Sequence, residues 1–268
     1  MDKFDFSNIA AKYESYSLVQ KSAANTLLSL LEIGSNDDVL DVGCGVGNLT
    51  RIIRETTGGN VTGIDPSGGM IKEAINNNRD VEITFDIMGA EQLNHQCYFD
   101  VIFCNSAFQW FNNPHKAIRN CYQALRNGGR IGIQAPATRM YSPNFIEAIE
   151  NVKNDPRTKD AFAHFREPWF FLETSAEYSG AFEETGFEVV FSTIESITTN
   201  YTPEEVFSVF SSGAAAGYLN QDFYDVKIDR DYIEAFEEIV REAFVQQAGE
   251  EGRVSLVFNR IFLVAIRG

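Results

Sequence analysis

The sequence predicts an α/β fold with a doubly wound, mostly parallel sheet. Short β-rich runs alternate with helical stretches through the first half of the chain, which is typical of a parallel sheet with crossover helices. The first of these runs, Val39–Val42, leads directly into a glycine-rich loop, as the first strand of such a fold does. The chain has 268 residues and is 44 % hydrophobic, which suffices for one large domain with insertions or for two small ones.

Apolar periodicity and the turn residues that flank it locate each element. The predicted helices, in chain order, are 18–33, 50–55, 70–77, 115–126, 141–171, 176–185, 203–216 and 231–247. The predicted strands are 39–42, 60–64, 81–85, 100–105, 130–135, 187–197 and 254–266. The Asn-Gly-Gly run at 127–129 is predicted to stop a helix and turn the chain back to the sheet. We interpret 1–268 as a single domain with helical insertions at about 138–175 and 200–250.

Charge and composition restrict the partners. A formal net charge of −16 repels phosphate backbones and anionic lipid, so nucleic acid and membrane surfaces are not expected to bind. No apolar run approaches the roughly 18 residues of a membrane span, and the first residues lack the apolar core of a signal peptide. The four cysteines have no paired spacing, and the three scattered histidines are not expected to bind metal. We therefore expect a cytoplasmic protein.

The glycine loop is the most informative motif. Gly43, Gly45 and Gly47 recur at every second position after a strand, and Asp41 precedes them. A dinucleotide loop instead has GxGxxG spacing, and a carboxylate beside it would repel a pyrophosphate. Asp41 suits a ligand with an ammonium group and no phosphate. A tight strand-to-helix turn without ligand is the alternative interpretation of the glycines alone.

Further polar residues follow the next strands. Asp65 ends the second strand, where an acid can accept hydrogen bonds from both ribose hydroxyls of an adenosine, although it could also cap a helix. Asp86 and Ile87 follow the third strand, within reach of an adenine, and Asp86 could equally be an ordinary strand-end cap. Asn105, Ser106 and Ala107 end the fourth strand, where the reaction centre is expected.

These motifs resemble the class I S-adenosylmethionine-dependent methyltransferases. The matching stretches are VLDVGCGVGNLT, VTGIDPSGGMI, FDVIFCNSAFQWF and LRNGGRIGI, which together span about residues 38 to 136. The opening residues are similar to malonyl-acyl-carrier-protein O-methyltransferases, and NSAFQWFNNP and the C-terminal stretch are similar to trans-aconitate methyltransferase. Insect farnesoic and juvenile hormone acid methyltransferases are more distantly similar. The resemblance implies a Rossmann-like sheet of seven strands with one antiparallel strand, 254–266, at its edge.

The resemblance also assigns roles to residues. It implies S-adenosyl-L-methionine as cofactor, with S-adenosyl-L-homocysteine as product. The residues expected to bind the cofactor are Tyr13, Asp41, Gly43, Gly45, Gly47, Asp65, Pro66, Met70, Asp86, Ile87, Asn105, Ser106 and Ala107. Relatives carry Gly-Asp-Ala-Glu or Gly-Asp-Ile-Glu after the third strand, so alignment on Ala-Glu would replace the adenine acid by Gly89; we prefer Asp86.

The expected reaction is O-methylation of a small carboxylic acid. A carboxylate is ionised at neutral pH and needs no general base, so no catalytic side chain is assigned. The residues expected to contact the acceptor are Tyr16, Gln20, Gln109, Trp110, Arg139, Arg166 and Trp169. The insertions are expected to form a cap on this acceptor side, and the aromatic run Phe162–Phe171 is expected to be the core of the first insertion. Because acyl carrier proteins are acidic, a free small molecule is favoured over a carrier-bound one.

Three other functions remain open from the sequence. The acceptor could be a hydroxyl, an amine or a carbon of another metabolite. The fold could also serve as a non-catalytic cofactor-binding module, although the intact Asp41, glycines and Asp65 count against this. An NAD(P) oxidoreductase is disfavoured by the glycine spacing and by the acid that precedes it.

Overall fold

The structure is a computed structural model, and it describes residues 18–268. Its helices are α1 (Leu18–Leu31), α2 (Asn48–Thr56), α3 (Gly68–Asn77), α4 (Pro114–Ala124), α5 (Pro143–Asn154), α6 (Lys159–Phe162), α7 (Ser175–Glu183), α8 (Pro203–Ser212), α9 (Ala215–Tyr218) and α10 (Arg230–Gln246). Single 3₁₀ turns lie at Ala90–Gln92, Phe108–Trp110 and Gln221–Phe223. Its strands are β1 (Val39–Val42), β2 (Val61–Asp65), β3 (Thr84–Ile87), β4 (Phe99–Asn105), β5 (Leu125–Pro136), β6 (Phe187–Tyr201) and β7 (Val254–Arg267).

The seven strands form one sheet in the order β3-β2-β1-β4-β5-β7-β6. Strands β1 to β5 are parallel to one another, and β7 runs antiparallel to β5. The order reverses between β1 and β4, and in open α/β sheets ligands bind at the carboxyl ends of strands beside such a reversal. The expected Rossmann-like sheet with its antiparallel strand is confirmed. The placement of 254–266 at the edge is wrong, because β7 lies between β5 and the outermost strand, β6.

Apolar side chains cover both faces of the parallel part of the sheet. In β4, Val101 and Phe103 pack with α1 and α2, whereas Ile102 and Cys104 pack with α4 and α7. This two-residue alternation is what a strand buried on both faces requires. Helix α1 can approach β5 closely because Gly132 has no Cβ: one built there would lie 2.9 Å from atoms of Leu27 and Leu31.

Four predicted elements differ from the structure. The third strand begins three residues later than expected, at Thr84, so Asp86 and Ile87 belong to β3 rather than follow it. The run at 127–129 is an irregularity inside β5, where the register with β4 shifts. The predicted helix 141–171 ends at Asn154, since Pro156 disfavours helical backbone at the residue before it. The predicted helix 203–216 is interrupted at Gly213.

The chain divides into two compact units. The first consists of the described residues up to Arg139, together with Trp169–Glu195 and Arg260–Gly268. The second consists of Met140–Pro168 and Ser196–Asn259. In the second unit α5 and α8 both pack on α10, around an aromatic core in which the ring of Phe145 lies 5.2 Å from Phe210 and 5.7 Å from Phe244. Among the described residues, no helix combines the length and the apolar character of a membrane span.

Candidate functional site

The glycine loop turns through left-handed backbone at each of its three glycines, with φ of 75° at Gly43, 55° at Gly45 and 81° at Gly47. The amides of Gly43 and Cys44 both donate to the carbonyl of Ile64, at 2.8 and 3.0 Å, and tie the loop to the end of β2. Non-glycine residues rarely adopt this conformation, so the spacing of the glycines is set by the backbone of the turn.

The three glycines meet different surroundings. A Cβ at Gly43 would lie 2.3 Å from the Cβ of Ala107, and one at Gly47 would lie 2.7 Å from Nδ2 of Asn78. A Cβ at Gly45 would have no atom within 4 Å. Gly43 and Gly47 are therefore required by the packing of the protein on itself, whereas Gly45 faces open space that a ligand could fill.

Asp41 is buried beneath this loop. Its side chain is 2 % exposed, and its Oδ2 accepts a hydrogen bond of 2.6 Å from Oγ1 of Thr50 on α2. Burial, together with the negative charge of Asp65, raises the pKa of Asp41 to about 7, although the hydrogen bond from Thr50 lowers it. A carboxylate held in this way attracts a cation, because a cation restores the ionised state that burial disfavours. No motif in the sequence identifies Thr50 as its partner.

Asp65 lies at the last position of β2. Its Oδ2 accepts from the amide of Gly45 at 3.1 Å, and its Oδ1 accepts from the amide of Ser67 at 2.8 Å. Each carboxylate oxygen has two lone pairs, so one remains on each for the hydroxyls of a ribose. Burial raises the pKa of Asp65, and the two amide bonds oppose that rise. The cap of α3 is Ser67, whose side chain accepts from the amide of Met70, so Asp65 is not the helix cap.

The chain after β3 folds back over the end of β2. The amide of Met88 donates to the carbonyl of Asp65 at 3.0 Å, and a Cβ on Gly89 would lie 3.9 Å from Pro66. Asp86 is exposed within β3, and the side chain of Ile87 is 60 % exposed. The two adenine candidates, Asp86 and the Gly89 stretch, both lie in this region, and the choice of Asp86 stays a prediction.

Polar side chains gather where β4 and β5 end. Ser106 has a left-handed φ of 57°, and its amide donates to the carbonyl of Gln134 at 2.7 Å. Its Oγ donates to Oε1 of Gln134 at 3.1 Å, and its own carbonyl accepts from Nε2 of Gln109 at 2.9 Å. Gln134, which sequence reasoning did not single out, is 1 % exposed. The Gln-Ala-Pro stretch at the end of a predicted strand was the available signal.

Half-buried aromatic rings flank the Phe108–Trp110 turn. The rings of Trp110 and Trp169 meet edge to face at 5.6 Å, and Trp169 stacks on Phe171 at 6.4 Å. The amide of Phe170 donates to the carbonyl of Gln109 at 2.8 Å. The aromatic run Phe162–Phe171 is therefore not one core: Trp169 belongs to the first unit, whereas Phe162 and Phe165 pack against Tyr218 in the second.

The structure does not bring every predicted residue to this site. Arg166 lies in the second unit, where it forms an exposed ion pair of 3.2 Å with Asp225. Arg139 is exposed, and its amide donates to Glu173.

Gln20 lies on α1, and Tyr13 and Tyr16 fall outside the described residues. Met70 is 5 % exposed and packs against Val46. Within residues 18–268, no group of three or more acids, histidines or cysteines could hold a metal ion.

Comparison with known families agrees with the geometry. Residues 40–133 match the family model described as a methyltransferase domain. Malonyl-[acyl-carrier protein] O-methyltransferase of Acetivibrio thermocellus is 35 % identical over 127 residues, which cover 46 % of this chain and 45 % of that protein. The corresponding enzyme of Priestia megaterium is 32 % identical over 130 residues, 47 % of each chain. The matched region thus spans about half the length of these curated relatives.

Solved structures agree on the fold. YcgJ protein from Bacillus subtilis is 15 % identical, with a TM-score of 0.59 over 92 % of this chain and 98 % of that one. Phosphoethanolamine N-methyltransferase 2 of Haemonchus contortus, solved with S-adenosyl-L-methionine, is 17 % identical, with a TM-score of 0.58 over 96 % and 56 %. The segment that carries the glycine loop therefore matches a methyltransferase domain in sequence, and the chain shares the Rossmann-like fold of these structures.

Proposed function

We propose that this chain is an S-adenosylmethionine-dependent methyltransferase that methylates a carboxylate oxygen of a small molecule. The observation that carries the proposal is the pair of buried acids at the strand ends. Asp41 lies beneath the glycine loop, and Asp65 accepts a hydrogen bond from the amide of Gly45, which among the three loop glycines is the one with an open face. This arrangement suits a ligand with an ammonium group and a ribose but no phosphate.

Each part of the cofactor has a matching group in the chain. Asp41 and the loop amides suit the ammonium and carboxylate of a methionine moiety. Asp65 retains acceptor capacity for the two ribose hydroxyls. Ile87, 60 % exposed at the end of β3, offers an apolar surface to an adenine. When bound, S-adenosylmethionine supplies a methyl group already activated by its sulfonium.

The chain's own contribution is to bind, orient and exclude water. In-line transfer to a carboxylate needs an aligned and desolvated nucleophile and no general base. The histidines fit this scheme: the ring of His95 packs 5.2 Å from Phe99, and His115 and His164 are exposed. The edge-to-face pair of Trp110 and Trp169 offers an apolar wall for the body of the acceptor.

Cofactor class is tested by isothermal titration calorimetry with S-adenosylhomocysteine, with NADH as the comparison ligand. Binding of the first with a Kd in the micromolar range, roughly −8 kcal/mol, and no binding of NADH are expected. Asp86→Ala should lower the affinity for S-adenosylhomocysteine about tenfold, because it removes the predicted contact with the adenine. Glu82→Ala, which removes an exposed acid just before β3, is the matched control and should have no effect. Tighter binding of NADH would contradict the proposed cofactor.

A free acid is proposed as the acceptor, although the curated relatives named above methylate malonyl groups on acyl carrier protein. A chain of net charge −16 repels an acidic carrier protein unless cations are concentrated at one place. Methyl ester formation should therefore be measured with free monocarboxylic acids and with malonyl-acyl carrier protein at 150 mM salt. Turnover of the free acids alone is expected. Turnover of the carrier-bound malonyl group at higher kcat/KM would assign this chain to the activity of its relatives.

A further inference from the structure

A polar cluster lies at the ends of β4 and β5 and is formed by Asn105, Ser106, Gln109 and Gln134. The sequence predicts cofactor or acceptor contacts for three of these residues, but the proposed function gives the cluster no specific role. We propose that this cluster is a subsite for a hydrogen-bond donor on the methyl acceptor. The acceptor class is then a carboxylic acid that also carries a hydroxyl or N–H group. This inference rests on the proposed function, and its test separates the two.

The hydrogen bonds determine which atom of Gln109 remains available. Its Nε2 donates to the carbonyl of Ser106 at 2.9 Å, which places the amide nitrogen on that side. Its Oε1 is buried and has no hydrogen-bond partner among the described residues. The side chain as a whole is 7 % exposed. Gln109 therefore presents a buried acceptor.

The same reasoning applies to Asn105. Because Oγ of Ser106 donates its one proton to Gln134, it can only accept from Asn105, whose Nδ2 lies 3.5 Å away. This orientation leaves Oδ1 of Asn105 buried and without a hydrogen-bond partner within residues 18–268. The side-chain carbonyl oxygens of Asn105 and Gln109 are thus left as acceptors.

Backbone strain at Ser106 is a separate observation on the same cluster. Its φ of 57° is unfavourable for a non-glycine residue, and Gln134 holds it there through both a backbone and a side-chain bond. A buried unpaired oxygen costs about 1–3 kcal/mol, and strained backbone costs a similar amount. Such costs concentrate where a protein binds a ligand.

The position of the cluster suits the acceptor. On one side Ala107 contacts the glycine loop at Gly43, and on the other the carbonyl of Gln109 is bonded to Phe170, next to Trp169. An ionised carboxylate offers only acceptors, so it cannot pair with the two oxygens. A hydroxyl or N–H beside the carboxylate can pair with them, and an acid without such a group leaves them unsatisfied.

The test uses 4-phenylbutanoate and its 2-hydroxy and 3-hydroxy derivatives, titrated into the full chain saturated with S-adenosylhomocysteine. At least one hydroxy acid should bind about 10- to 100-fold more tightly than the parent acid. In Gln109→Met this preference should fall to near unity, with the affinity for S-adenosylhomocysteine unchanged. Gln123→Met, at an exposed position on α4, is the matched control and should keep the preference.

Asn105→Ala removes the second oxygen and is measured in parallel, so the result does not depend on the folding of one variant. The proposal is overturned if no hydroxy acid binds, if the wild type has no preference, or if both variants keep it. Weaker binding of S-adenosylhomocysteine by the variants would assign the two oxygens to the ammonium group of the cofactor. That result would also overturn the proposal. Retained preference without ester formation would count against the proposed function alone.

Discussion

Replacement of Asp41 by asparagine is expected to lower the affinity for S-adenosylhomocysteine about 100-fold and, in the same protein, to raise the melting temperature of the ligand-free chain. The affinity falls because a buried carboxylate that faces a cation contributes several kcal/mol to binding. The fold is kept because the side-chain oxygen of asparagine can still accept the bond from Thr50.

The gain in stability follows from the pKa. Burial raises the pKa of Asp41 to about 7 in the folded protein, against its ordinary value of 3.8. The folded protein therefore retains the proton of Asp41 to a higher pH than the unfolded chain does. The stability that protonated Asp41 contributes is fully present below pH 3.8 and is lost as the pH rises to about 7. Above pH 7, ionisation of Asp41 lowers the free energy of unfolding by at most about 4 kcal/mol. The melting temperature of Asp41→Asn should exceed that of the wild type by an amount that grows from pH 5.5 to 7, reaches several degrees and then levels off.

The same titration predicts the pH dependence of binding. Between pH 5.5 and 7, the affinity of the wild type for S-adenosylhomocysteine should rise with pH, by up to about tenfold per unit, because ligand binding requires ionised Asp41. The slope should be absent in Asp41→Asn. Calorimetry measures the ligand affinity, and thermal unfolding measures the stability, of both proteins across this pH range. A variant that is less stable than the wild type at pH 7.5, or that binds equally well, would contradict the assignment of Asp41.

Gly43→Ala is expected to lower the free energy of unfolding by about 3 kcal/mol, from a steric clash and a left-handed φ together. The new Cβ would lie 2.3 Å from that of Ala107, so the loop after β4 has to move. Gly45→Ala adds a Cβ with no neighbour within 4 Å, so no steric clash results. The free energy of unfolding should fall only by the cost of left-handed backbone at alanine, about 1 kcal/mol. Its affinity for S-adenosylhomocysteine should nevertheless fall more than tenfold, because the open face is assigned to the ligand.

The double variant Gly43→Ala/Ala107→Gly separates these effects. Removing the Cβ of Ala107 relieves the clash, so the double variant should regain about 2 kcal/mol and keep only the cost of the left-handed backbone. Denaturant unfolding and calorimetry on the four proteins give the comparison. Equal losses of stability for Gly43→Ala and Gly45→Ala, or no recovery in the double variant, would mean that Gly43 is not required by its contact with Ala107.

Local sequence patterns determined most of the first unit. The glycines permit left-handed backbone at each turn of the loop, and the acids at the strand ends face the loop because parallel strands end at one edge of the sheet. Asp41 and Asp65 could therefore be predicted as candidate site residues before the fold was known. The resemblance to methyltransferases rests on the same residues, and the family match at 40–133 covers them.

Other features depend on which segments meet in space. The position of β7 beside β5, the bond from Thr50 to Asp41 and the separation of Trp169 from Phe165 into different units are set by tertiary packing, not by local sequence pattern. Hydrophobic periodicity reports how one segment is buried, but it does not report its neighbour. The cluster at Ser106 shows this most clearly, since the sequence predicted Asn105 and Gln109 as binding residues but did not single out Gln134, which holds the cluster together. Only their packing within the tertiary structure left two buried oxygens without partners among the described residues.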